Sequence, residues 1–98
     1  MKEEIRKTYY ENGNMESERT FVDGIEHGPA KGWFESGELE FEVFKENGVF
    51  HGLGTYYLKN GEIAYAVNYI DDELDPKDEK KKEEGMMKYI LDSMKNKD

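Results

Sequence analysis

Cysteine is absent from this chain of 98 residues, which removes any disulfide framework or thiolate metal site and favours a reducing compartment. Long apolar runs are missing too. None approaches the roughly 20 residues needed to cross a bilayer as a helix, and Met1-Lys2-Glu3-Glu4 does not begin a secretory signal. A cytoplasmic protein is therefore expected. Basic residues are scarce relative to acidic ones, with 14 Lys/Arg against 23 Asp/Glu and a net charge of -9. The deficit is local: residues 1–75 carry 7 Lys/Arg against 17 Asp/Glu, while residues 76–98 carry 7 against 6. Phosphate backbones and anionic lipids are held mainly by Lys and Arg, so direct nucleic-acid binding and membrane binding are disfavoured.

The residues that carry chemistry are equally sparse. His27 and His51 are the only histidines, and neither has a complementary nucleophile, base or ligand set at a telling spacing. They stand 24 residues apart in equivalent positions, which points to a repeated structural contact. No Gly-rich loop lies between a strand and a helix to cradle phosphate, and no loop has EF-hand spacing for calcium. A protein without catalytic, cofactor or metal sites is expected. With 36% apolar residues in so short a chain, any single core must also be small.

What the chain does contain is a period of 24 residues. Tyr9-Tyr10-Glu11-Asn12-Gly13-Asn14-Met15 aligns with Trp33-Phe34-Glu35-Ser36-Gly37-Glu38-Leu39 and with Tyr57-Leu58-Lys59-Asn60-Gly61-Glu62-Ile63. Each copy reads aromatic, turn, aliphatic. A second column sets Asp23-Gly24-Ile25-Glu26-His27-Gly28 against Asn47-Gly48-Val49-Phe50-His51-Gly52, then decays at Asp71-Asp72-Glu73-Leu74-Asp75-Pro76. The array thus occupies residues 1–75.

Alternation of Leu39, Phe41 and Val43 with Glu38, Glu40 and Glu42 has the period of a strand with one apolar face. The turns before Gly13, Gly37 and Gly61 fit three-residue loops ending in a left-handed Gly, because Ser36 tolerates positive φ poorly. That loop pairs Tyr9 with Met15, Trp33 with Leu39 and Tyr57 with Ile63. A one-residue slip would set the aromatics against Glu16, Glu40 and Ala64 instead. The expected fold is mainly β: an antiparallel meander of three β-hairpin repeats in six strands, joined at the His-Gly positions, with a C-terminal α-helix.

Strict alternation would collect Ile5, Tyr9, Met15, Trp33, Leu39, Phe41, Val43, Leu53, Tyr57, Ile63, Tyr65 and Val67 on one face. Arg6, Glu16, Glu18, Glu38, Glu40, Glu42 and Glu62 would then share the other. Alternate strand positions lie about 6.6 Å apart, so Glu16, Glu18, Glu38, Glu40 and Glu42 are the candidate partner-binding residues, an ordered negative patch for a basic protein.

Residues 76–98 read as a helix. Asp75 suits the N-cap, Pro76 the first helical position, and Asp78 and Glu79 the positive end of the dipole. Met87, Ile90, Leu91 and Met94 form an apolar stripe that either closes the last hairpin or binds a partner, whereas Gly85 weakens the helix by about 1 kcal/mol relative to Ala.

The string His51-Gly52-Leu53-Gly54-Thr55-Tyr56-Tyr57, followed by Asn60-Gly61, resembles the MORN repeat, and the preceding copy keeps His27-Gly28, Trp33-Phe34 and Gly37. The looser aromatic and Asn-Gly-x-aliphatic spacing is similar to MORN-variant repeats of small bacterial proteins often labelled antitoxin-like. The resemblance covers roughly residues 5–74. It departs from the pattern at Ala30, which replaces a Gly, and after Asp71, where His-Gly is lost. It implies a curved sheet of hairpins used for protein contacts or, in some members, lipid headgroup contacts; the acidity here argues against lipid. The leading expectation is a non-catalytic protein-binding module, antitoxin-like or immunity-like. The alternative is an acidic nucleic-acid mimic that blocks a DNA- or RNA-binding protein. A last expectation concerns assembly: one short helix leaves so broad an apolar face incompletely covered, which calls either for curvature that lets the face close on itself or for a homodimer.

Overall fold

A computed structural model describes residues 2–95; Met1 and residues 96–98, the ends of the two expected segments, lie outside the described residues. The chain runs through β1 (Glu3–Tyr9), β2 (Met15–Val22), β3 (Ile25–Trp33), β4 (Leu39–Glu46), β5 (Val49–Phe50), β6 (Gly52–Tyr57), β7 (Ile63–Ile70) and β8 (Glu73–Leu74). A 3-10 turn at Pro76–Asp78 then leads into α1 (Glu79–Lys95). The strands form one antiparallel sheet in sequence order, with β5 and β6 as two pieces of one strand against β4.

The expected hairpin register is present in all three repeats. Tyr9 faces Met15, Trp33 faces Leu39 and Tyr57 faces Ile63. Each loop closes in the same way: Tyr10 N–H donates to Asn14 O at 2.8 Å and Gly13 N–H to Tyr10 O at 3.0 Å, and the Phe34 and Leu58 loops repeat both bonds. The closing glycines have φ of +92° at Gly13, +110° at Gly37 and +92° at Gly61, a region that disfavours any side chain.

At the opposite edge the connections differ from expectation. The hairpins are joined by two-residue turns at Asp23-Gly24 and Asn47-Gly48, where all four residues have positive φ, and not by the His-Gly pairs. His27-Gly28 sits inside β3 and His51-Gly52 at the break between β5 and β6, each a kink with Gly28 at φ +125° and Gly52 at +85°. The same turn recurs once more at Asp71-Asp72, with φ of 49° and 76°, so the geometry outlasts the sequence pattern.

A second departure reassigns the faces. Thr8 pairs with Ser17 while Tyr9 pairs with Met15, which leaves Glu16 unpaired as an extra residue in β2. Glu40 and Ala64 occupy the same place in β4 and β7. Each is a β-bulge, and two residues that oppose one reverse the alternation beyond them. The apolar set expected on one face is therefore divided. Tyr9, Met15, Trp33, Leu39, Tyr57 and Ile63 lie on the outer face, while Phe41, Val43, Tyr65 and Val67 lie on the side that carries α1.

On the helix side, residues form rows across the sheet. Thr8, Ser17, Gly32, Phe41, Tyr56 and Tyr65 make one, and Arg6, Arg19, Ala30, Val43, Gly54 and Val67 the next. Both rows turn from polar to apolar along the chain. The helix packs on β7, at the apolar end. Val67 is fully buried, with Ala30, Val43, Leu58 and Ala64 nearly so. Small and large residues interlock there, since the Phe41 ring covers Gly32 and leaves no room for a side chain.

The helix docks through a stripe that the pattern of apolar residues did not indicate. Gly85 is buried against the Tyr65 ring, where an added methyl would overlap it. Tyr89 lies edge-on to Tyr65 and donates its hydroxyl to Tyr57 O at 3.0 Å. Met87, Ile90, Leu91 and Met94, with Met86, face solvent. Asp75 caps the 3-10 turn as expected, its Oδ1 accepting from Lys77 N–H at 3.0 Å.

Candidate protein-binding surfaces

The outer face holds an apolar row that, among the described residues, α1 does not cover. Tyr9, Met15, Trp33, Leu39, Tyr57 and Ile63 share one face at successive strand positions along the looped edge of the sheet. They are placed there by the three glycine turns, which set the register, and by the bulges, which turn the next residues of β2, β4 and β7 to the other side. Tyr9 is 57% exposed and Ile63 52%, with the members between them half-buried by their neighbours. Phe44 and Leu53 are also exposed on this face, one row beyond the charged row described next.

Beside it runs a row of alternating charge. Lys7 pairs across strands with Glu18, Glu18 with Lys31, and Lys31 with Glu42. The Lys7–Glu18 and Lys31–Glu42 ion pairs measure 4.0 and 3.7 Å.

The five glutamates singled out by alternation consequently do not share a face. Glu18 and Glu42 lie in this mixed-charge row on the outer side. Glu16 and Glu40 are bulge residues on the helix side, where they flank Tyr10. Glu38 sits at the tip of the second hairpin, its Oε1 accepting from Ser36 Oγ at 2.8 Å. The bulge is the physical reason, because it adds one residue between members of each pair. The expected negative patch is divided into three places.

The helix-side carboxylates meet a different environment. Burial raises the pKa of Glu40 above the ordinary carboxylate value. Tyr10 is also raised, by burial first and then by Glu40, Glu16 and Glu35, and its hydroxyl donates to Trp33 O at 2.5 Å. Farther along, Tyr56 and Tyr65 stack with centroids 4.5 Å apart. Burial pushes Tyr89 up to about 12, with Tyr65 and Glu40 adding to the shift. Hydroxyls so far from ionisation act as hydrogen-bond donors and packing groups at neutral pH.

The histidines hold neighbouring repeats together. His27 Nδ1 accepts from Asn47 N–H at 3.3 Å, and His51 Nδ1 lies 3.8 Å from Asp71, the residue one period after Asn47. The two histidines occupy equivalent places but make different contacts, a backbone N–H to imidazole hydrogen bond at His27 and an approach to a carboxylate oxygen at His51, whose Nδ1 makes no hydrogen bond. Among the described residues, no three His, Asp or Glu converge as metal ligands.

Asp78 is the one buried charged group in the described chain. Its Oδ2 accepts from Asn68 N–H at 2.8 Å and from Asn68 Nδ2 at 3.2 Å. The backbone bond is the main reason its carboxyl sits below the usual range, and Lys81 at 3.4 Å contributes further. Sequence alone marked Asp78 only as a first-turn acid. Its partner lies ten residues away across a strand turn, which local pattern does not reveal.

A family model described as MORN repeat variant matches residues 5–23, 26–49 and 50–71. These limits coincide with the three hairpins. No curated protein and no solved structure matches the chain. No helix among the described residues is long and apolar enough to cross a membrane.

Proposed function

The chain belongs to the MORN repeat variant family, and from that premise we propose that it is a non-catalytic protein-binding module that acts by covering a partner's surface, in the manner of an antitoxin-like or immunity-like inhibitor. One observation carries the reading: the row Tyr9, Met15, Trp33, Leu39, Tyr57 and Ile63 is ordered by the repeat and left uncovered by α1. Trp, Tyr and Met are enriched at protein interfaces, and a central Trp is a frequent energetic anchor. The adjoining Lys7, Glu18, Lys31 and Glu42 supply a polar rim of both signs.

The acidic-mimic alternative draws on the excess of acid in residues 1–75. Its supporting geometry is weaker, because Glu16 and Glu40 point away from Glu18 and Glu42, and lysines neutralise the latter pair. A cytoplasmic location remains the setting that best suits a protein without cysteine.

Affinity capture from the native host, followed by binding measurements on the recovered protein, tests the proposal. Truncating Trp33 to Ala should weaken binding by at least about 2 kcal/mol, the hot-spot scale, while reversing charge at Glu16 and Glu40 changes little. Full binding by a folded Trp33→Ala variant would sink the reading; loss on the glutamate reversal alone would favour the mimic.

A further inference from the structure

β1 is exposed at every position, and among the described residues nothing pairs with its outer edge. Exposed edges invite pairing, and proteins commonly block them with charged side chains, proline or bulges, so an edge whose charges complement those of its partner is the case left open to pairing. β1 has neither proline nor a bulge of its own, since the extra residue at the first hairpin belongs to β2. Its charges are of both signs and are arranged symmetrically: Glu3-Glu4-Ile5-Arg6-Lys7.

The outward groups can be assigned from the bonds already made. Tyr10 N–H donates to Asn14 O, and Lys2 O accepts from Asp23 N–H, so the even-numbered residues of this strand turn their backbone groups toward β2. In an antiparallel ladder each residue directs both groups to one side and its neighbours to the other. Glu3, Ile5 and Lys7 therefore present free N–H and C=O groups at the edge.

We propose that this edge is a self-association surface whose occupant is the β1 strand of a second copy of the chain, paired antiparallel about a two-fold axis at Ile5. In that register Ile5 meets Ile5, Glu3 meets Lys7 and Glu4 meets Arg6, each twice by symmetry. The pairs that must exchange backbone hydrogen bonds, Ile5 with Ile5 and Glu3 with Lys7, are those whose groups face outward. Opposite charges face one another at all four charged pairs, and such cross-strand pairs are favourable while like pairs are not. A two-fold axis normal to the sheet keeps each face continuous, so the two outer apolar rows lie on the same side of a joined sheet. Charge pattern and hydrogen-bond phase select this register independently.

Multi-angle light scattering and sedimentation on the full chain test it with three variants. Wild type should be a dimer at high concentration. Ile5→Pro removes one outward N–H at the centre without touching the ladder to β2, a position where edge strands accept proline; it should be monomeric with an unchanged far-UV spectrum. Glu3→Lys and Lys7→Glu each place like charges at two pairs and should raise the dimer dissociation constant roughly tenfold or more. Mixing these two variants in equal amounts restores opposite charges and should restore the dimer. If Ile5→Pro fails to fold, the mixing experiment decides. Wild type that stays monomeric at high concentration overturns the proposal, as does a dimer indifferent to the charge variants, which would then use another surface such as the exposed stripe of α1.

Discussion

Gly85 shows how one residue can read as a defect and act as a contact. Its sequence context is a helix interior, where Gly costs about 1 kcal/mol relative to Ala. In the fold it is the point at which the helix backbone reaches the Tyr65 ring, and a methyl there would overlap the ring. Propensity and packing thus oppose each other, and their magnitudes decide. Overpacking a contact that cannot give costs about 1–3 kcal/mol, which exceeds the gain in helix propensity. Gly85→Ala should lower the thermal midpoint and loosen α1, as seen in a loss of Tyr89 hydroxyl and α1 amide protection. A higher midpoint would mean that the helix shifts along β7 without penalty. The docking role was not legible because a missing side chain carries no hydrophobic signal, whereas Met87, Ile90, Leu91 and Met94 carry a strong one and remain outside.

At the scale of elements, the turns were readable and the bulges were not. Gly13, Gly37 and Gly61 announce positive φ by residue type, and with the aromatic and aliphatic flanks they set the hairpin register. A bulge residue of ordinary conformation needs no special side chain, so Glu16, Glu40 and Ala64 look like normal members of an alternating strand. One clue does stand in the column: acid, acid, then Ala. The change to Ala falls on the repeat where α1 sits, and Ala64 is only 4% exposed, in the groove beside Gly85. Burying a carboxylate there without a partner would cost at least about 3 kcal/mol or force the helix away. Ala64→Glu should therefore undock α1 while the first two hairpins persist, giving a helix-specific loss of amide protection; uniform protection equal to wild type would show that the column is not what seats the helix. Glu40, already partly desolvated and near enough to Tyr89 of α1 to help raise its pKa, marks the intermediate case.

The whole molecule is a slab of 48 × 38 × 14 Å with a radius of gyration of 14.8 Å, against about 13 Å for a compact domain of 100 residues. Its surface is 6875 Å² for 11.5 kDa, against about 5,800 Å² from the usual scaling for monomers. The excess follows from architecture: a sheet covered on half of one face cannot bury its other face alone. The repeat count and the strand order could be inferred from the 24-residue period, but not this uneven cover, which depends on where the helix lands. Stability should then be graded along the array, because each hairpin leans mainly on its neighbours. β1 is exposed throughout, whereas Val67 in β7 is fully buried under the helix-side packing. Native-state hydrogen exchange should find the lowest opening free energies in the first hairpin and the highest in β6 and β7, with the difference growing on dilution if β1 pairs between copies and constant if it does not. Equal protection in all three hairpins would require a single cooperative unit, which a core of five buried apolar residues spread over three strands and one loop position gives little reason to expect. A gradient of this kind also bears on binding: a partner that covers the outer row from Tyr9 to Ile63 would stabilise the first hairpin most, since that is where least is already secured.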